Sequence, residues 1–188
     1  MEYYMDTYYP DYLMHYGVKG MKWGHRKKYY NADGSLNTAG QAKQAYKSAK
    51  KDVRTANKQL RRSSWTAVGI KGIDKYDKAK SKAVSAEVNR VNAKAKLKSS
   101  LAKDSAKAKK AEFNTYKKEM KKSGIRGSAA DVQRGGRSTE LYNSIRQQKG
   151  KAYADRIEKR VQNEAYATFA ASAAVMIGAN VAAAMMNR

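Results

Sequence analysis

The sequence is short of the residues on which most catalytic and metal-binding sites depend. Its 188 residues include no cysteine, one proline, two histidines, two phenylalanines and two tryptophans. The absence of cysteine excludes disulfides, iron–sulfur clusters and cysteine-based zinc sites. Two histidines and 16 acidic residues argue against most metal and acid–base catalysis. We therefore expect a binding or structural protein with no cofactor, not an enzyme.

Positive charge is the most prominent property that the sequence does have. Forty lysines and arginines against 16 acidic residues give a net charge of +24. The charge is −1 over residues 1–25, +9 over 26–64, +11 over 65–123, +4 over 124–164 and +1 over 165–188. Such a basic middle attracts polyanions, namely nucleic acid, anionic lipid or acidic protein surfaces. The alternative is a solvated basic surface without a dedicated partner.

Residues 41–62 have the pattern of an amphipathic helix. A narrow apolar seam repeats at helical spacing through Tyr46, Ala49, Val53, Ala56 and Leu60. The other face carries the candidate nucleic-acid-binding residues Lys47, Lys50, Lys51, Arg54, Lys58, Arg61 and Arg62. Lysine outnumbers arginine in the chain, and lysine is a point charge rather than a fork that reads bases. We therefore expect non-specific contact with nucleic acid, most plausibly DNA.

The rest of the basic region, up to residue 122, has further helical seams. Residues 74–122 contain no glycine or proline and are rich in the helix formers lysine and alanine. A continuous helix over this stretch would be about 70 Å long, and the sequence leaves its continuity open. Together with 41–62 this stretch predicts a long basic helical hairpin or coiled coil. Between them, Trp65, Val68, Ile70 and Ile73 suggest a connection that packs its own side chains. The predicted seams of this second part are Val84, Val88, Val91 and Ala95, followed by Phe113, Tyr116 and Met120.

Glycine and arginine mark residues 123–138 as a linker, which we interpret as a hinge rather than an RGG-like nucleic-acid contact. Ser123-Gly124 predicts the end of the preceding helix. Residues 139–188 then predict a C-terminal helix with a kink at Gly150 and an uncharged end. The apolar face of its first part consists of Leu141, Tyr142, Ile145, Tyr153, Ile157 and Val161.

The uncharged segment 165–187 allows two interpretations. A helix of this length spans about 34 Å, enough to cross a bilayer core. Its many alanines, with Gly178 and Ala182 four residues apart, equally suit burial in a bundle or a homo-oligomer. The residues predicted to form the membrane or oligomer contact are Phe169, Val175, Ile177, Gly178 and Val181.

The first 40 residues predict a short, irregular module rich in glycine and tyrosine. Residues 17–24 lack the spacing of a phosphate-binding loop, and no strand pattern precedes them. His15 and His25 lack a third ligand, so we interpret them as loop histidines and not as a metal site. Asp33-Gly34 predicts a hairpin or loop turn.

The string His15-Tyr16-Gly17-Val18-Lys19-Gly20-Met21-Lys22-Trp23-Gly24 resembles the HYGVKGMKWG-type motif of tailed bacteriophage and prophage proteins of Firmicutes. The resemblance covers about 26 residues and includes the turn that follows the motif. It implies a phage origin and a virion-associated role, in the virion or the host cytoplasm, and no catalytic residue. We expect docking to a virion or assembly protein through His15, Tyr16, Gly17, Gly20, Met21, Trp23, Gly24, Asp33 and Gly34.

Three functional hypotheses follow from the sequence. The first is a phage structural or virion-associated protein that binds nucleic acid non-specifically through basic helices and docks through its N-terminal motif. The second is a membrane-associated protein, of an ejection or anchored type, that uses the apolar C-terminal helix. The third is a coiled-coil scaffold that binds no nucleic acid.

Overall fold

The residues that the structure describes fold almost entirely into α-helices, as the sequence predicts. The computed structural model describes residues 26–31, 33–67, 69–124, 126 and 135–186, with side chains described between residues 28 and 172. Apart from helices, these ranges contain an isolated antiparallel bridge between Tyr30 and Leu36. The helices are α1 (Arg26–Tyr29), α2 (Thr38–Trp65), α3 (Gly69–Ser100), α4 (Ser105–Ser123), α5 (Arg137–Lys149) and α6 (Lys151–Met186).

A small folded turn fixes α1 to the start of α2. Asn37 is the N-cap of α2, and its side-chain oxygen accepts a 2.8 Å hydrogen bond from the Gly40 amide. The Asn37 amide donates to the Tyr29 carbonyl at 3.1 Å. Gly40 is buried, and a Cβ atom there would lie 2.1 Å from the same carbonyl oxygen. Only glycine therefore allows α1 to approach α2 this closely.

Helices α2 and α3 form the predicted hairpin. Of the predicted seam on α2, Ala49 and Ala56 are buried, while Tyr46, Val53 and Leu60 are half-buried. The seam therefore faces the protein interior, and α2 packs along α3. At the connection, a Cβ on the buried Gly72 would lie 2.6 Å from the Thr66 carbonyl oxygen. The hairpin is thus closed tightly at its turn.

The structure divides residues 74–122, whose continuity the sequence left open, between two helices. Helix α3 ends at Ser100, and α4 begins at Ser105 after four non-helical residues. Asp104 is the N-cap of α4, with Oδ1 accepting a 2.7 Å hydrogen bond from the Lys107 amide. A cap of this kind starts a new helix without glycine or proline. The break lets α4 fold back so that the seams of both helices are buried together.

The predicted C-terminal helix is also two helices. Helix α4 ends at Ser123 with Gly124 at φ 89°, as predicted, and α5 begins at Arg137, within the segment assigned to the linker. Gly150 has φ 88° and separates α5 from α6, where the sequence predicted only a kink. Because a left-handed glycine commonly ends a helix, the chain reverses here and α6 packs against α5.

The hydrophobic core lies between α3, α4, α5 and α6. It contains most of the large apolar residues that the sequence patterns placed on the seams of residues 74–164, with Val88, Phe113 and Tyr153 partly buried against it. Phe113 and Tyr153 meet edge to face at its margin, with ring centroids 5.9 Å apart. The buried members are Val91, Ala95, Tyr116, Met120, Leu141, Tyr142, Ile145, Ala154, Ile157 and Val161. The core therefore holds the second half of α3 against α4–α6, while α2 packs on α3 outside this cluster.

Candidate nucleic-acid interface

The basic face predicted for residues 41–62 is a solvent-exposed surface of α2. Helix α2 is 28 residues long and carries eight basic residues and one acidic residue, Asp52. All seven predicted nucleic-acid-binding side chains are exposed, which leaves their charged groups accessible to a ligand. We call them the α2 basic face: Lys47, Lys50, Lys51, Arg54, Lys58, Arg61 and Arg62.

No member of the α2 basic face forms an ion pair with any residue that the structure describes. Asp52, on the same helix, is exposed and likewise makes no such pair there. Unpaired surface cations remain available to neutralise an external polyanion, whereas cations already paired with carboxylates contribute less to such a field. The α2 basic face is therefore a site of concentrated, uncompensated positive charge.

Acidic side chains of the bundle are instead used in internal ion pairs. Glu119 on α4 is buried and accepts hydrogen bonds from Lys94 Nζ at 2.5 Å and Arg90 Nη2 at 3.2 Å. Burial by itself raises the pKa of this carboxyl group, but Lys94 and Arg90 outweigh it and lower the pKa overall. Glu119 is thus held ionised by two cations of α3.

Further ion pairs join α4 and its C-terminal loop to α5 and α6. Lys117 Nζ donates to Glu164 Oε1 at 2.7 Å and lowers the pKa of that carboxyl group. The other pairs are Lys121–Glu164, Arg126–Glu158 and Lys149–Glu112, at 3.6, 3.2 and 3.1 Å. The fold therefore separates charge: carboxylates pair with cations across the bundle, and the α2 basic face has no such partner among the described residues.

An open groove runs along the C-terminal half of this surface. Its lining residues are separated by three, four, seven, eight and eleven positions from the first, so they share one side of α2. The groove has a volume of about 540 Å³. It is lined by Arg54, Asn57, Lys58, Arg61, Arg62 and Trp65. Four cations thus adjoin one tryptophan, a combination that suits phosphate together with an apolar group.

The expectation that the α2–α3 connection packs its own apolar side chains is wrong for three of its four members. Trp65 is 85% exposed, Ile70 is 82% exposed and Ile73 is 51% exposed. Val68 lies outside the described residues. The buried side of the turn is occupied at Gly72 by the backbone of Thr66 and Ala67. Sequence reasoning placed the three exposed side chains correctly at the turn and missed that they point outward.

Most of the predicted docking motif lies outside the described residues, namely His15, Tyr16, Gly17, Gly20, Met21, Trp23 and Gly24. Asp33 and Gly34 are described and form the expected turn. Gly34 has φ 83°, and its amide donates to the Asn31 carbonyl at 3.1 Å. The side chain and amide of Ser35 donate to Asp33 Oδ1 and lower the pKa of Asp33. This pair therefore shapes the loop that leads into α2.

The predicted membrane or oligomer contact falls on α6. Phe169 is 75% exposed, and side chains from Tyr166 to Ser172 are all exposed. Val175, Ile177, Gly178 and Val181 lie on this helix, and their side chains are outside the described set. No helix in the described part of the chain has both the length and the apolar character needed to cross a bilayer. The spanning interpretation of residues 165–187 therefore has no candidate helix among the described residues.

The described residues hold no group of three histidine, cysteine, aspartate or glutamate side chains that could bind a metal ion. In comparison with known proteins, residues 5–29 match the model of a family of unknown function, DUF7211. The match contains the whole of the motif from His15 to Gly24 and ends at Tyr29, where α1 contacts α2. No curated protein and no solved structure matches the chain.

Proposed function

We propose that this chain is a structural protein that binds nucleic acid without sequence preference, through the α2 basic face. The observation that carries the proposal is the exposure of seven cations on one helix, none paired with a carboxylate among the described residues. Lysines and arginines in this state exchange their counterions for phosphates, which is the main source of non-specific affinity for DNA.

The dimensions of the surface suit a phosphate backbone. Fifteen residues separate Lys47 from Arg62, so the face is roughly 22 Å long at 1.5 Å per residue. Duplex DNA rises about 3.4 Å per base pair, which corresponds to roughly six or seven base pairs along this length. Four of its seven side chains are lysines, whose point charges contact phosphates and do not read base edges. This composition supports binding to the backbone rather than to a sequence.

We further propose that the chain is associated with virions of tailed phages and docks there through its N-terminal motif. The support is the resemblance of residues 15–24 to the HYGVKGMKWG-type motif and a family match confined to residues 5–29. The Asn37–Tyr29 hydrogen bond and the Gly40 contact fix the end of that segment to α2. A partner bound by the motif would consequently hold the α2 basic face at a defined place.

Binding of labelled 30-base-pair duplexes by the full chain, measured by anisotropy over a salt series, tests the first proposal. If four to seven phosphates are contacted, the slope of log K against log salt is about −4 to −6. Affinity that stays constant across the salt series contradicts the first proposal.

Mass spectrometry of purified phage particles, induced from a strain that encodes the chain, tests the second proposal. Its peptides are expected in the particles, and their absence contradicts virion association.

A further inference from the structure

The turn of the α2–α3 hairpin concentrates exposed apolar side chains at one end of the molecule. Trp65 closes α2, and Ile70 and Ile73 lie in the first turns of α3. Their exposed fractions are 85, 82 and 51%. In an antiparallel hairpin, the end of the first helix and the start of the second lie at the same end. Large apolar groups concentrated in this way commonly mark a contact surface.

Cations surround this apolar group. Arg61 and Arg62 occupy the last turns of α2 beside Trp65, and Lys71 and Lys75 lie in the first turns of α3 with the two isoleucines. Two exposed carboxylates, Asp74 and Asp77, lie in the same turns of α3, so the four cations outnumber the nearby acidic groups by two. All four cations are exposed, and none forms an ion pair with a residue that the structure describes. The surface thus combines an apolar tip with a rim of net positive charge, and this rim is called the basic rim.

We infer that this hairpin tip docks on an anionic lipid surface. Trp65, Ile70 and Ile73 enter the boundary between headgroups and acyl chains, while Arg61, Arg62, Lys71 and Lys75 contact lipid phosphates. Tryptophan suits this boundary because its ring is apolar and its N–H is polar. Basic side chains near an anionic leaflet are attracted to its negative surface potential. The tip lies on the surface, so it needs no membrane-crossing helix.

The aliphatic members favour lipid over nucleic acid as the occupant. A single-stranded base could stack on Trp65, but Ile70 and Ile73 have no ring and gain nothing comparable from bases. Both isoleucines gain by leaving water for an apolar phase. A lipid surface accounts for the exposure of Trp65, Ile70 and Ile73 and for the basic rim. Nucleic acid would account only for the tryptophan and the cations. Arg61 and Arg62 also belong to the α2 basic face, but Ile70 and Ile73 lie outside it, so variants of the isoleucines test lipid docking separately from DNA binding.

Flotation of the full chain with vesicles tests the inference. Vesicles of 30% phosphatidylglycerol in phosphatidylcholine are compared with pure phosphatidylcholine. The chain is expected to float with the anionic vesicles only, and tryptophan emission is expected to move to shorter wavelength. Trp65→Phe leaves Trp23 as the sole tryptophan and should abolish the shift. Equal flotation with both vesicles, or no emission shift, overturns the inference.

A pair of double variants locates the contact. Ile70→Gln with Ile73→Gln should lower vesicle affinity at least about tenfold, because two exposed apolar groups are removed from the lipid contact. Tyr166→Gln with Phe169→Gln, on the exposed part of α6, is the matched control and should retain affinity. Helical circular dichroism verifies that each variant is folded. Loss of binding in the control pair alone, or a Trp65 shift with single-stranded DNA and none with vesicles, contradicts lipid docking by the tip.

Discussion

Lys94 on α3 and Glu119 on α4 are joined by a 2.5 Å hydrogen bond from Nζ to Oε1, although 25 positions separate them in the chain. Arg90, one turn earlier on α3, reaches the other carboxylate oxygen at 3.2 Å. Glu119 is buried, so the three residues form a charge cluster at the inner side of the α3–α4 pair. Their meeting depends on the helix break at residues 101–104.

This cluster predicts acid sensitivity. The pKa of Glu119 is lower in the folded chain than the ordinary value of 4.5 that applies when the chain is unfolded. The stabilising contribution of the ionised carboxylate is therefore complete above about pH 4.5. The contribution is lost as pH falls through the lower, folded pKa. Glu119→Gln should reduce the free energy of unfolding at pH 7 by about 1–3 kcal/mol. It should also flatten the acid limb of the stability curve, measured by urea unfolding between pH 7 and 3.

The control for this prediction is Asp77→Asn, an exposed carboxylate on α3 without an ion pair among the described residues. It should change the unfolding free energy by less than about 0.5 kcal/mol. A Glu119→Gln chain with the same acid limb as the original would show that the cluster does not supply the pH dependence.

Neutralising substitutions in the α2 basic face should weaken the salt dependence of DNA binding. Changing Arg54, Lys58, Arg61 and Arg62 together to glutamine should reduce the steepness of the salt slope by about two to four, since each phosphate contact contributes about 0.9. The matched control changes Arg146, Arg156, Lys159 and Arg160, which are also three arginines and one lysine and are exposed on α5 and α6. Anisotropy with the same duplex measures both. Equal slopes for the two sets would contradict the assignment of the interface to α2.

Asp104 predicts a measurable capping contribution. Asp104→Ala removes the acceptor for the Lys107 amide and should destabilise the chain by about 0.5–2 kcal/mol in urea unfolding. Asp104→Asn keeps a side-chain oxygen at the cap and should lose much less. Equal losses in the two variants would indicate that the charge of Asp104, not its capping bond, matters at this position.

Gly40 predicts a steric effect opposite to helix propensity. Alanine is favoured over glycine in helices by about 1 kcal/mol, yet its Cβ would meet the Tyr29 carbonyl oxygen at 2.1 Å. Gly40→Ala should therefore release α1 and speed hydrogen exchange at the Asn37 amide. Ser48→Ala, exposed in the same helix, is the control and should leave that exchange unchanged. Unchanged protection of Asn37 in Gly40→Ala would show that α1 adjusts without separating from α2.

Local patterns predicted much of this fold because helical periodicity depends only on neighbouring residues. The seams through Val91 and Ala95, through Tyr116 and Met120, and through Ile157 and Val161 are all buried. The helix end at Gly124 was also predictable, since its φ of 89° suits glycine. The break before Asp104 was missed because lysine and alanine on both sides favour helix, and a single cap outweighed that preference. A search for capping aspartates would have found it.

For the candidate interface, the sequence placed the seven cations of the α2 basic face on one helical side, since spacing alone fixes direction around a helix axis. The sequence could not predict which carboxylate pairs with which cation. Lys94 meets Glu119, and Lys117 meets Glu164, only after α4 and α6 fold back. The tertiary structure alone decided that pairing, and it left the α2 basic face without acidic partners among the described residues. It also decided that Trp65, Ile70 and Ile73 face solvent. Helical spacing shows which residues share a side of a helix, but only the packing of the other helices decides which side is covered.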